Sequence, residues 1–245
     1  MNRVQQALKV SSEYTNAFRD MVNECVSWKG EPAKRLKLEK EEDWSFVCVA
    51  MDILGDTGLA IRNVLSFGLD GPTKYKDTGE KYLRLYGLLG ATYSQQRAAL
   101  KLHKLTNCPR VKEFGDRARR LQATVLRHQI AAHSLDNMNK SGQVVAAFVP
   151  VRLDLEGFNC TVTKNRGDAS KSHDLAEAIG EHCEFMADIL DAIYEKCAKT
   201  FFKNDAARRA VYLKNLEELR EIRGGAIVFQ VGDTKIVVNS VDSKG

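Results

Sequence analysis

Apolar residues return every three or four positions over most of this chain, the spacing of helices with one buried face. Between Asn2 and Val26 they fall at Val4, Leu8, Tyr14, Phe18 and Val22, with Ser11, Ser12, Thr15 and Asn16 between, which predicts a first helix. Lys29-Gly30-Glu31-Pro32 breaks it, and Ala33 to Asp43 is a mixed-charge run suited to solvated helical turns. Trp44 to Phe67 is apolar throughout and too long for one strand, so a buried helix is expected. Gly55 and Gly58 inside it suit close packing by another helix. A phosphate loop fits less well, because no Gly-Lys-Ser/Thr follows. After a loop at Gly68 to Gly79, a helix is predicted from Glu80 to Leu105; its first half, YLRLYGLLGATY, is apolar on nearly every side, as in the middle of a bundle. Asn107-Cys108-Pro109 ends it, and Leu121 to Asn137 has the propensity of a further helix.

The pattern then changes period. Val144, Val145, Phe148, Val149, Val151, Leu153 and Leu155, followed by Phe158, Cys160 and Val162, predict two strands turning at Glu156-Gly157. From Asp168 to Phe202 the helical period returns, with one stripe at Leu175, Ile179, Cys183, Met186, Leu190, Ile193, Cys197 and Phe201. Another helix is expected over Asp205 to Arg223, stopped by Gly224-Gly225, and Ala226 to Val238 reads as a hairpin turning at Gly232-Asp233. The expected fold class is mainly α, a helical bundle with small β-hairpin additions. One domain over residues 1–245 is expected, with strands near 143–163 and 226–239 as appendages that could share one small sheet.

Composition narrows this picture. With 44% apolar residues in 245, a sizeable core can be filled. The N-terminus lacks the apolar run of a signal peptide, and no stretch is expected to reach the roughly 20 residues of a membrane helix. A cytoplasmic protein without membrane contact is therefore expected. Six cysteines (Cys25, Cys48, Cys108, Cys160, Cys183, Cys197) are scattered without a C-x-x-C pair and read as reduced packing residues. His103, His173 and His182 have no partners at metal-ligand spacing, so neither a metal nor a cofactor is expected. No Walker loop, nucleophile elbow or dinucleotide fingerprint is present.

Net charge is +5, yet Arg97 to Arg127 alone carries nine basic residues against two acidic ones. That local excess of seven marks a footprint for a polyanion, with Arg97, Lys101, Lys104, Arg117, Arg119 and Arg120 as candidate RNA contacts; the plain alternative is a solvated helix face. Within LQATVLRHQIAAHSLDN stand Arg127, His128 and His133. A guanidinium can hold a phosphate and an imidazole can move a proton near pH 7. At about 100° per residue, His133 lies roughly 120° around a regular helix from Arg127, on the stripe of Leu126 and Ile130. The alternative is a histidine packed at a helix contact. Two copies of this helix facing across a two-fold axis would bring both residue types into one cleft.

The segment Arg127 to His133, RHQIAAH, resembles the hallmark of the HEPN superfamily: Arg, a polar residue, then His after four to six intervening residues. The long helix before it, YLRLYGLLGATYSQQRAALKLHKL, is similar to the long helix that pairs with the motif helix in several members of that family. The resemblance covers roughly Trp44 to Asn137 and Leu175 to Phe202 and leaves the strands outside. It implies a homodimeric, metal-independent endoribonuclease of a toxin–antitoxin or antiviral defence system. Arg127 would hold the scissile phosphate, and His133 would serve as general base or acid. His128 would orient the pair or share the proton work, and the product would carry a 2′,3′-cyclic phosphate. An antitoxin or other regulatory protein is an implied partner, but the tyrosine that some members carry two residues after the histidine is Leu135 here. The alternatives are a non-catalytic dimer that binds RNA or a nucleotide, and a structural dimer with Arg127 and His133 as packing.

Overall fold

A computed structural model describes residues 3–27, 32–73, 77–132, 134–135, 137–138, 141–225, 227–231 and 234–238. The protein is mainly α. Helix α1 (Arg3–Ser27) lies along α7 (Leu175–Phe201), and α3 (Glu41–Phe67) lies along α4 (Thr78–Leu105), with the short α2 (Pro32–Leu36) between α1 and α3 in sequence. Helices α5 (Val111–Arg120) and α6 (Gln122–Arg127) return along α4, and α8 (Ala206–Arg223) packs on α1 and α7.

The predicted stripe on α7 is the spine of the core. Leu175, Ile179, Cys183, Met186, Leu190, Ile193, Cys197 and Phe201 are all buried, as are Tyr14, Phe18 and Val22 of α1. Asp174 caps α7 by accepting from the Ala176 and Glu177 amides, and Asp77 caps α4 through the Gly79 amide. Such caps satisfy amides that the first turn leaves without partners.

Several elements differ from the sequence expectation. The run Trp44 to Phe67 is helical but not wholly buried: Val47, Leu54 and Ile61 face the core, while Phe46, Val49, Leu59 and Phe67 are exposed. By length and composition alone, Glu42–Phe67 could also cross a membrane, where no stretch was expected to. Here it packs against α4 and α1 and carries Asp43, Asp52 and Asp56. The apolar half of α4 is not central either. Leu85, Leu88 and Leu89 are buried, but Leu83 and Tyr86 are exposed, because only one side of the helix meets α3, α6 and α7. The central helix is α7.

The β region holds more strands than the two expected. Strand β1 (Asn137–Met138) pairs antiparallel with β2 (Val144–Ala146). A separate antiparallel sheet has the order β3 (Phe148–Pro150), β4 (Asn159–Lys164), β5 (Ala169–Asp174), with Pro150 opposite Val162 and Cys160 opposite His173. The segment Asp168 to Asp174, expected as helix, is thus mostly strand. It has almost no apolar period of its own, and pairing with β4 decides its state. Strands β6 (Ile227–Val231) and β7 (Thr234–Val238) form the expected hairpin but a sheet of their own, not one shared with β3–β5. The turn expected at Gly232-Asp233 lies outside the described residues.

The three-stranded sheet is tied to the α3–α4 corner. Gly157 donates its amide to Asp70, and its carbonyl accepts from the Leu69 amide at 2.7 Å. Gly68 has φ +62°, and a Cβ there would stand 2.8 Å from the Gly157 carbonyl oxygen. Only glycine tolerates both the angle and the approach.

Candidate nucleic-acid interface

The helix predicted over Leu121 to Asn137 is shorter and irregular. Regular α-helix ends at Arg127, and His128–Ala132 continues as a π-helical turn before the chain enters β1. Single π turns inside helices recur at functional sites, because one extra residue re-aims the side chains around it. Leu126 and Ile130 anchor the turn in the core beside Leu85, Leu89 and Ile179. His133 lies outside the described residues, so its relation to Arg127 is not part of this geometry.

Arg127 is half-exposed. Its guanidinium carbon stands 3.9 Å from the centre of the Tyr93 ring on α4, and His128 approaches the same ring edge-on at 6.3 Å. Among the described residues no carboxylate pairs with Arg127. A cation over an aromatic face keeps its N–H groups at the ring's rim, available to an anion. Tyr93, Arg97, Lys101 and Lys104 follow one another by four, four and three residues, which places them on one side of α4.

The basic run does not form one patch. Arg97, Lys104 and Arg120 are exposed, and no ion pair engages them among the described residues. Lys101 reaches α3, with its ammonium 4.3 Å from the Phe46 ring centre and 3.9 Å from Asp43. Arg117 turns to α7, where it pairs with Asp188 and stands 5.5 Å from the Phe185 ring; Arg119 pairs with Asp116 on its own helix. Arg117 lines a separate cavity of about 750 Å³ between α5, α7 and α8. Its walls carry interlocked pairs, Arg223 with Asp188 and Arg220 with Asp191 and Glu195. Cations already matched to carboxylates are less free to release counterions from a nucleic acid.

Behind the π turn runs a chain of buried hydrogen bonds. The Leu54 carbonyl accepts from Gln95 Nε2 at 3.1 Å, and Gln95 Oε1 lies 2.7 Å from His182 Nε2. His182 Nδ1 lies 3.2 Å from Gln96 Nε2, and Gln96 Oε1 accepts from the Thr124 hydroxyl at 2.8 Å. The carbonyl at one end can only accept, so every donor in the chain is determined. Gln95 must turn its amide nitrogen to Leu54 and its oxygen to His182, which places the imidazole proton on Nε2. Nδ1 then accepts from Gln96, whose oxygen faces Thr124. Burial holds His182 neutral, its pKa pushed down to about 3. The chain ties α3, α4, α7 and α6 together one turn before Arg127.

Sequence reading missed Tyr93, Gln95, Gln96 and His182. Paired glutamines in the middle of an apolar helix were the available signal, since such residues are seldom buried without partners. All six cysteines are free thiols, five buried and Cys48 half-buried. Among the described residues no group of histidine, cysteine and carboxylates could hold a metal ion. No family model, curated protein or solved structure matches the chain.

Proposed function

We propose that the protein is a dimeric, metal-independent endoribonuclease of the HEPN type, acting in a defence or toxin system under the restraint of a regulatory protein. The observation that carries this reading is Arg127, half-exposed on the Tyr93 ring at a π turn, with no carboxylate partner among the described residues. Arg97 and Lys104 extend positive charge along the same side of α4. In this reading Arg127 stabilises the charge that builds on the scissile phosphate. His133 takes the proton from the ribose 2′-hydroxyl or gives one to the leaving 5′-oxygen, and His128 orients the pair. Attack of the 2′-oxygen on phosphorus with loss of the 5′-oxygen leaves a 2′,3′-cyclic phosphate.

The test is cleavage of single-stranded RNA by purified protein in excess chelator, with the product ends examined for the cyclic phosphate. Loss of cleavage in both Arg127→Ala and His133→Ala, with the helical content retained, is the expected result. No cleavage by the wild type overturns the nuclease; RNA binding that persists in its place leaves a non-catalytic binding dimer. A monomer in solution removes both, because the site needs two copies of the motif helix.

A further inference from the structure

A second cavity, of about 350 Å³, lies between α1 and α3 over Gln95 of α4. From the sequence, Gly55 and Gly58 are expected to let another helix pack closely. Instead both line this cavity: a Cβ at Gly58 would meet only Gln95 Nε2, at 3.8 Å, and one at Gly55 would meet the Arg19 guanidinium at 3.2 Å. The missing side chains keep the α1–α3 seam open.

The floor is a built polar surface. Gln95 is 3% exposed, and its orientation is set by the Leu54 carbonyl on one side and His182 on the other. Its amide nitrogen carries two hydrogens and gives one to Leu54. No described residue takes the second, and Gln95 lines the cavity. A buried donor without an acceptor costs free energy unless a ligand or water meets it.

The walls divide by chemistry. Arg62 stands at one end, and its guanidinium hydrogen-bonds, among the described residues, only to the Ser12 hydroxyl oxygen, at 3.4 Å. Arg19 at the other end is already held by the Met51 carbonyl at 2.7 Å and by Asp52 at 3.4 Å. The Ser12 and Thr15 hydroxyls give their hydrogens to the Leu8 and Ser11 carbonyls, so they face the cavity as acceptors. Asp56 adds a carboxylate. A cation unmatched by any described carboxylate, with acceptors beside it, suits a ligand carrying an anion at one end and hydroxyl donors along its body. Gly55 and Arg62 are seven positions apart, about 10 Å along a helix, which leaves room for a sugar phosphate.

We propose that this cavity binds a small hydroxyl-bearing phosphate monoester, with its phosphate on Arg62, its body over Gly55 and Gly58, and an oxygen accepting from Gln95. The proposal is independent of RNA cleavage. Ribose 5-phosphate titrated calorimetrically into the full chain is the test, with inorganic phosphate and ribose as separate arms. Saturable binding about tenfold or more tighter than phosphate alone is expected, weakened about tenfold by Arg62→Ala. Gly58→Leu, which fills the cavity, should abolish it, while Gly90→Ala, outside the cavity and with nothing near its added methyl, serves as the folded control. Circular dichroism reports whether Gly58→Leu folds; should it not, Arg62→Ala decides. No saturable heat at millimolar ribose 5-phosphate, affinity no better than for phosphate, or affinity unchanged in Arg62→Ala overturns the proposal.

Discussion

The buried His182 makes a measurable statement about acid stability. Its imidazole is neutral in the fold, with a pKa pushed from 6.5 to about 3 by burial. The unfolded chain therefore takes up a proton near pH 6.5 that the folded protein refuses. Stability from this group is present in full above pH 6.5 and is lost as the pH falls toward 3. Each pH unit in that window costs about 1.4 kcal/mol, or about 2 kcal/mol at pH 5 relative to pH 7. Replacing the histidine separates this effect from the hydrogen bonds. His182→Leu strands Gln95 Oε1 and Gln96 Nε2 in the core, at about 1–3 kcal/mol each, so the variant should be about 2–6 kcal/mol less stable at pH 7. It no longer titrates, however, so its deficit should shrink by about 2 kcal/mol at pH 5. Urea unfolding followed by circular dichroism at the two pH values measures both. Burial also lowers the pKa of His103 and His173, but both proteins carry these, and their contribution cancels. If wild type and variant lose equal stability between the two pH values, His182 is not the buried neutral group described here.

Two further outcomes follow from packing. Gly87 and Gly90 sit in the exposed middle of α4, and a methyl group added at either would meet nothing within 4 Å; alanine at each should raise stability by up to about 1 kcal/mol in thermal melts. A fall instead would mean that this face is closely covered in solution. For the thiols, an aromatic disulfide reagent should label Cys48 first and the other five only on denaturation. They are buried, and burial pushes Cys160 up to about 11 and Cys183 up to about 12, far from the reactive thiolate.

Legibility in the sequence followed local strength of pattern. The α7 stripe, the first helix and the C-terminal hairpin could be read directly, because a long uninterrupted period leaves few other ways to bury the same residues. Strand β5 could not, since Ala-Ser-Lys-Ser-His-Asp has no period and owes its form to β4. The exposure of one side of α3 and α4 was equally hidden, because apolar character all round a helix does not say how many neighbours will cover it.

The candidate site divides the same way. Arg127, His128 and the basic run were visible as residue types at a spacing. That Arg127 rests on Tyr93, while Arg117 is matched to Asp188, is a matter of which helices lie side by side. Sequence alone determined the helices with a long apolar period and the inventory of charges, both properties of short segments. The tertiary structure decided the aimed guanidinium and the buried Gln–His chain. Each needs groups from helices far apart in the chain, and only packing sets those distances.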